Sequence, residues 1–311
     1  MIRAVSVGGA IDVGSNSIHL LVAMMGEGFF SPLRDTSELL GLGDVVDESQ
    51  EIPGAKRAAV IDVLAEYVNA ATRSRADRVT LMGTDPLRRA TNASVLAEEI
   101  RQAVGLDMRV LTERQEAILT FIGVTHGEPP AEPLVVVDIG GGSTEVAAWS
   151  PGRPLQITSV KLGSGRLTKA LVEHDPPTAA EMEAMFDGAS QAVRAADIGA
   201  TGVTRAVFVG GTATNVARLG RLTRSALVAD RQTLGMLTHS QISARYSVRP
   251  RRARQLAAGV AIVDALLESF GLDAAEVSDA SLRDGAIISA AAFGDEWPER
   301  MAELAGGLVP A

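Results

Sequence analysis

The apolar runs of this chain come in two copies of one arrangement. Ala10-Ile-Asp-Val-Gly-Ser-Asn-Ser-Ile18 returns as Val136-Val-Asp-Ile-Gly-Gly-Gly-Ser-Thr144, so that Asp12 matches Asp138, Gly14 matches Gly140 and Ser17 matches Ser143. Each copy is an apolar run ending in Asp, a turn of Gly and small polar residues, and a second apolar run. That pattern predicts a β-hairpin with an unusually compact turn. Further along, each half offers another strand ending in Gly-Thr, Val79-Thr-Leu-Met-Gly83-Thr84 in the first and Val207-Phe-Val-Gly-Gly211-Thr212 in the second. Between hairpin and Gly-Thr, Val60, Val63, Leu64, Tyr67 and Val68 fall at helical spacing, and Met182, Met185, Phe186, Ala189 and Val193 repeat it. The second of these helices opens with Pro176-Pro177 and a capping box, Thr178 with Glu181. A longer apolar helix is predicted over 252–270, closed by Gly271, and a last one from Leu282 to about Phe293.

Two weakly similar halves imply two similar α/β domains about a pseudo-twofold axis, with a cleft between them. The Pro- and Gly-rich segment Thr125-His-Gly-Glu-Pro-Pro-Ala-Glu-Pro133 marks the boundary. The expected domains are residues 1–125 and 126–311, with the last helix, about 282–305, packing back on the first. A length of 311 residues suits two such domains.

Composition narrows the chemistry. Zero cysteines exclude a disulfide scaffold, a zinc knuckle, an iron–sulfur site and a thiol nucleophile. A net charge of −9 argues against a general nucleic-acid binder. Only Lys56, Lys161 and Lys169 are lysines; the other basic residues are arginines, whose planar fork suits phosphate, although a GC-rich coding sequence is the plainer cause. Asp12, Ser15, Asn16 and His19 interrupt any signal-peptide core, and no run of 18 apolar residues exists, so a soluble, cytoplasmic chain without a membrane partner is expected.

A turn of Gly, Ser and Asn after a strand points successive backbone N–H groups into one concavity, and such nests bind phosphate oxygens. One such turn is equally well a tight hairpin; a pair, each preceded by Asp and followed at matching distance by Gly-Thr, is stronger. Asp138 and Glu145 bracket the second turn and are hard oxygen donors of the kind that seats magnesium or calcium beside phosphate. His19 takes the place of Glu145 in the first half, is a poorer ligand for a hard ion, and reads as a packed or hydrogen-bonded histidine. The segment Val110 to Phe121 reads as strand, cap and helix, with a capping box of Thr112 and Gln115 and a buried stripe of Ala117, Ile118, Phe121 and Ile122. On these grounds Glu113 and Glu116 are equal candidates for a carboxylate that accepts a proton from water.

The chain resembles the exopolyphosphatase / guanosine pentaphosphate phosphatase (Ppx/GppA) family. The residues that carry the likeness run from Ile11-Asp-Val-Gly-Ser-Asn-Ser-Ile18 through Gly83-Thr-Asp-Pro-Leu-Arg-Arg-Ala-Thr-Asn92, Gln115-Glu-Ala117 and Val137-Asp-Ile-Gly-Gly-Gly-Ser-Thr-Glu145. They continue through Gly211-Thr-Ala-Thr214 to Ser278-Asp-Ala-Ser-Leu-Arg-Asp-Gly285. The resemblance implies two ribonuclease-H-like, actin-like ATPase domains in the short, two-domain form, with a homodimer as a possible assembly. It implies that Glu116, directly before Ala117, is the catalytic base, selecting it over Glu113. Asp138 and Glu145 correspond to the family's magnesium carboxylates. Ser15, Asn16, Thr84, Arg88, Gly141, Gly142, Ser143, Thr144, Gly211 and Thr212 correspond to its phosphate-binding loops, and Arg166 to a further anion contact. Arg252 and Arg283 match family arginines without an assigned role. Two positions depart from the pattern: Asp85-Pro86 stands where Ser-Ala or similar is usual, and Gly41 where an arginine is frequent.

The implied activity is magnesium-dependent hydrolysis of a terminal phosphoanhydride of polyphosphate or guanosine pentaphosphate. An ATP-using kinase on the same scaffold, or an alarmone sensor without turnover, are the rival readings; the Glu116 helix favours water as acceptor. The stretch Arg245-Tyr-Ser-Val-Arg-Pro-Arg-Arg-Ala-Arg254 is either a solvated helix start or an outlying path for a long polyanion.

Overall fold

The computed structural model describes residues 5–198 and 202–306; residues 307–311, at the end of the expected second domain, lie outside the described residues. The chain divides into two compact units, one of Met1–Glu128 with Leu282–Ala305, the other holding Pro129–Ser281.

The first unit begins with three antiparallel strands, β1 (Ser6–Val13), β2 (Ser17–Gly26) and β3 (Phe29–Leu39). Helices α1 (Leu42–Ser49) and α2 (Gly54–Arg73) lead to β4 (Arg78–Gly83), which joins β1 in parallel. After α3 (Asp85–Arg89) and α4 (Ala93–Val104), β5 (Met108–Val110) adds a further parallel strand and α5 (Glu113–Thr125) follows. The sheet order is β3-β2-β1-β4-β5. Strand periodicity sends alternate β1 residues to opposite faces. Ile11 and Val13 join Val60, Leu64, Tyr67 and Ala71 of α2 in one core. Gly8, on the other face, lies against Ile287.

The second unit repeats this plan. Antiparallel β6 (Leu134–Ile139), β7 (Thr144–Trp149) and β8 (Gln156–Val160) precede α6 (Ser164–Leu171) and α7 (Ala179–Ala195). Then come β9 (Arg205–Val209), α8 (Gly210–Val216), α9 (Arg224–Leu234), α10 (His239–Tyr246), α11 (Pro250–Ala253), α12 (Leu256–Phe270) and β10 (Glu276–Val277). Its order, β10-β9-β6-β7-β8, is the first sheet read from the other end. Three antiparallel strands followed by two parallel ones is the ribonuclease-H-like arrangement of actin-like ATPases, present here twice. Val135, Val137 and Ile139 bury against α7 and α12 in its core.

Chain then returns to the first unit as α13 (Leu282–Phe293) and α14 (Trp297–Arg300), with α13 packed on α5. Gly285 is the point of closest approach: a Cβ there would overlap the Leu119 carbonyl, with Leu119 Cα only 2.9 Å away.

The long helix expected over 252–270 needs correcting. Pro250 opens the separate short α11, and Gln255 N donates to Arg252 O at 3.0 Å, a tighter i→i+3 link. Regular α-helical bonding begins only afterwards, with Gly259 N donating to Gln255 O at 2.9 Å. The predicted closure at Gly271 is present, in the left-handed conformation that favours glycine. Among the described residues, no helix is long and apolar enough to cross a membrane.

Candidate functional site

Both hairpin turns are built alike. Gly14 N donates to Ser17 O at 3.1 Å and Gly140 N to Ser143 O at 2.9 Å, the same bond at matching positions. In the second turn, carbonyls and amides are sorted. Gly140 O and Gly141 O accept from Ser164 N and Arg166 N at 3.2 and 2.9 Å, and Arg166 Nε donates to Gly142 O at 3.0 Å. The helix α6 thus takes up the turn's oxygens, while the N–H groups of Gly141, Gly142 and Ser143 bond to no carbonyl among the described residues. That is the donor-rich concavity expected of an anion nest. Gly163 makes the contact possible, since a Cβ there would stand 2.5 Å from Gly141 O.

The threonines sit beneath the turns rather than on them. Thr84, Thr144 and Thr212 are buried. Thr144 Oγ1 donates to Leu162 O at 2.6 Å, Thr84 Oγ1 to Val13 O at 3.4 Å, and Thr212 Oγ1 to Gly140 O at 3.3 Å while sharing a proton with Ser164 Oγ. Their hydroxyls brace the backbone that carries the amides. Gly211 lies in the first turn of α8, where Gly210 (φ 85°) leaves room for the Asp138 carboxylate.

Asp138 and Glu145 are register partners across β6 and β7, so their side chains leave the same face of the sheet. Burial pushes the Asp138 carboxyl up to about 6. Glu145, itself buried, accepts from Ser159 Oγ at 3.2 Å. Two adjacent carboxylates in a desolvated setting fit a hard divalent cation, with the remaining oxygens left to ligand and water. Among the described residues, no three His, Cys, Asp or Glu side chains gather to form a complete cage. At the matching place in the first unit, Asp12 faces His19, whose Nε2 is 2.6 Å from Ser17 Oγ. The histidine is a hydrogen-bonded one, as its sequence context suggests.

In the first unit the capping box of Thr112 and Gln115 is formed and sets Glu116 in the first turn of α5. Glu116 is 15% exposed and ion-paired with Arg88 of α3, whose Nη1 also donates to Leu111 O at 2.8 Å. Glu113 is exposed. The structure therefore separates two carboxylates that the sequence left equal: Glu116 is tied to an arginine on the element that follows β4, and Glu113 is exposed. Gly41, the second departure, adopts φ 63° and donates its N–H to Asn16 O at 3.0 Å, so its glycine serves the backbone of the first turn.

The family model described as "Ppx/GppA phosphatase family" matches residues 21–292. The chain belongs to the Ppx/GppA family. Exopolyphosphatase 1 of Mycobacterium tuberculosis (strain H37Rv) is 28% identical over 300 residues, covering 90% of this chain and 87% of that protein. The guanosine-5'-triphosphate,3'-diphosphate pyrophosphatase of Vibrio parahaemolyticus is 25% identical over 295 residues, covering 89% of this chain but 58% of the longer relative. The crystal structure of the Aquifex aeolicus Ppx/GppA member superposes with a TM-score of 0.84 at 28% identity, covering 94% of this chain and 99% of that one.

Within this Ppx/GppA chain, Arg252 is a residue to which the sequence assigned no role. Arg252 is partly buried, with its guanidinium lying against Gly211, where a Cβ would stand 3.0 Å from Nη2. Its nearest polar contact is Gln255 Oε1 at 3.5 Å, and no carboxylate pairs with it among the described residues. Burial, then the charges of Arg251 and Arg249, lower its pKa. Only its approach to Gly211 reveals it. Arg249, Arg251 and Arg254 around it are exposed, whereas Arg283 is ion-paired with Asp35 at 2.7 Å. A cavity of about 370 Å³ in the first unit, lined by Met25, Phe29, Phe30, Val124, His126 and Leu304 among others, contains none of the expected site residues.

Proposed function

We propose that this chain removes the terminal phosphate of inorganic polyphosphate by magnesium-dependent hydrolysis, with guanosine pentaphosphate as a second substrate. Arg252 is the observation that carries the reading. A partly buried guanidinium without a carboxylate partner is costly, by several kcal/mol in an apolar setting, unless an anion completes it. The amides of Gly141, Gly142 and Ser143 and the Arg166 side chain supply further donors in the same unit. The names of the mycobacterial and Vibrio relatives support phosphoanhydrides as the substrate class.

In the reaction, Glu116 takes a proton from the attacking water. The water oxygen bonds to the terminal phosphorus as the bridging P–O bond breaks, and its electron pair leaves with the shortened chain. Arg88 holds the Glu116 carboxylate in one orientation through their ion pair. Asp138 and Glu145 are the residues that would hold magnesium, which when bound neutralises charge building on phosphate oxygens. The bare amides of the second turn meet phosphate oxygens without moving, which is the preorganisation that electrostatic catalysis needs.

Phosphate release from long-chain polyphosphate, tripolyphosphate and guanosine pentaphosphate, measured side by side with magnesium, tests the reading. Glu116→Gln keeps volume and hydrogen bonding, and turnover should fall by at least about 10²-fold with substrate binding nearly unchanged. Glu113→Gln should be mild. Release of no phosphate from any of the three by the unaltered chain would overturn hydrolysis, and tight guanosine pentaphosphate binding without release would establish a sensor instead.

A further inference from the structure

The crest of the first turn is held shut by a side chain that has no counterpart in the second. Ser15 Oγ donates to Asp85 Oδ2 at 3.0 Å. Asp85 is gripped in turn by Arg89, whose Nε lies 3.0 and 3.1 Å from its two oxygens and whose Nη2 lies 2.8 Å from Oδ2. Arg89 Nη1 also reaches Asp47 Oδ1 at 2.5 Å. Burial by itself raises the Asp85 carboxyl, but the Arg89 hydrogen bond and charge, with the Ser15 hydroxyl, outweigh it and hold the group below its usual range. It is ionised and only accepts. One guanidinium serves two carboxylates, so the cluster keeps a net negative charge, and the Asp85 side chain is 42% exposed.

A serine hydroxyl has one proton to give. Here it is committed to Asp85, and the loop cannot easily turn it elsewhere. Ser15 O accepts from Gly43 N at 2.7 Å, and even a Cβ on Gly43 would stand 2.8 Å from Ser15 Cβ. In the second turn the corresponding residue is Gly141, and the charged side chain beside it is Arg166. We propose that Asp85 is a specificity-determining residue that weakens phosphate binding at the first turn, by withholding the Ser15 proton and leaving negative charge beside it. The proposal rests on reading residues 14–16 as a phosphate loop. It makes the first turn a weak, charge-averse holder of phosphate.

A double-mutant cycle on Ser15→Ala and Asp85→Ala tests it, with inorganic tripolyphosphate as probe. Binding is read by calorimetry, and phosphate release is read in parallel on the same four proteins. A neutral hydrogen bond contributes about 0.5–1.5 kcal/mol net, or roughly 2- to 13-fold in affinity. Asp85→Ala should tighten binding about five-fold. Ser15→Ala should change it less than about two-fold alone, yet weaken it about five-fold in the Asp85→Ala background. KM should follow the binding constant. Asp85→Asn, which keeps shape and acceptor but drops the charge, should tighten binding while leaving Ser15→Ala silent, and serves if the alanine variant folds poorly. Equal effects of Ser15→Ala in both backgrounds, no tightening on removing Asp85, or no tripolyphosphate binding by any variant would overturn the proposal. The predicted binding pattern without phosphate release would sink hydrolysis and leave this assignment standing.

Discussion

Gly285→Ala is the sharpest test of how the returning helix supports the candidate base. Alanine is the better helix former by about 1 kcal/mol, so propensity alone predicts stabilisation. Geometry predicts the reverse. The new Cβ would overlap the Leu119 carbonyl, with the carbonyl carbon at 2.6 Å and Cα at 2.9 Å. Carbon atoms pack at about 3.5–4.0 Å, so α13 must withdraw from α5 by roughly 1 Å. The obstacle is backbone and cannot rotate aside. Overpacking of this kind costs typically 1–3 kcal/mol, and the upper end applies where main chain must move. Net destabilisation of about 2 kcal/mol follows, equivalent to a Tm lower by about 4–8 °C for a unit of this size. Leu119 lies one turn beyond Glu116 on α5, so the same displacement should reach the base, where about 1 Å of misplacement can cost 10²-fold in rate. Calorimetric unfolding with phosphate-release kinetics on one preparation reads both effects. An unchanged or higher Tm with unaltered turnover would refute the close approach and the argument built on it.

Two further outcomes follow from the second unit. Magnesium should raise the Tm of the unaltered chain, and Asp138→Asn should abolish that rise, since it removes half of a carboxylate pair on one face of the sheet; an undiminished magnesium shift would remove Asp138 from the proposed metal site. Glu181 is held down at about 2 by the His174 hydrogen bond and the amides of Glu173 and Thr178, so its contribution is present above its ordinary value near 4.5 and is lost as pH falls through about 2. Comparing Glu181→Gln with the unaltered chain by thermal unfolding should show a gap that narrows over that window, and a gap independent of pH would refute the assignment.

Repetition made much of the fold legible. Asp12 with Asp138 and Gly14 with Gly140 aligned the two hairpins, and the structure repeats even the amide bond that closes each turn. Capping boxes at Thr112 and Thr178 were equally readable, because both partners lie three residues apart on one chain. The third antiparallel strand of each sheet was not. Phe29–Leu39 is an edge strand whose exposed residues carry little alternation, and only pairing with β2 defines it. The break before Leu256 escaped because apolar spacing runs through it, while the turn at Arg252 is set by a backbone bond that periodicity does not report. Residues whose roles depend on a distant partner, Arg88 with Glu116 and Arg252 with Gly211, became visible only in three dimensions.

Duplication also explains why the two units should hold ions differently. Their hairpins place an aspartate at the same register, yet its cross-strand partner is His19 in one and Glu145 in the other. His19 is bonded to Ser17, so the first pair carries at most one negative charge and has a donor of its own. The second pair is two carboxylates on one face, one raised to about 6 by desolvation and the other buried and accepting from Ser159 Oγ. Like charges so placed cannot both ionise cheaply, and either a proton or a cation must relieve them. One difference at one register position therefore gives the second hairpin two carboxylates where the first has one, and for that reason we propose the second unit as the metal site.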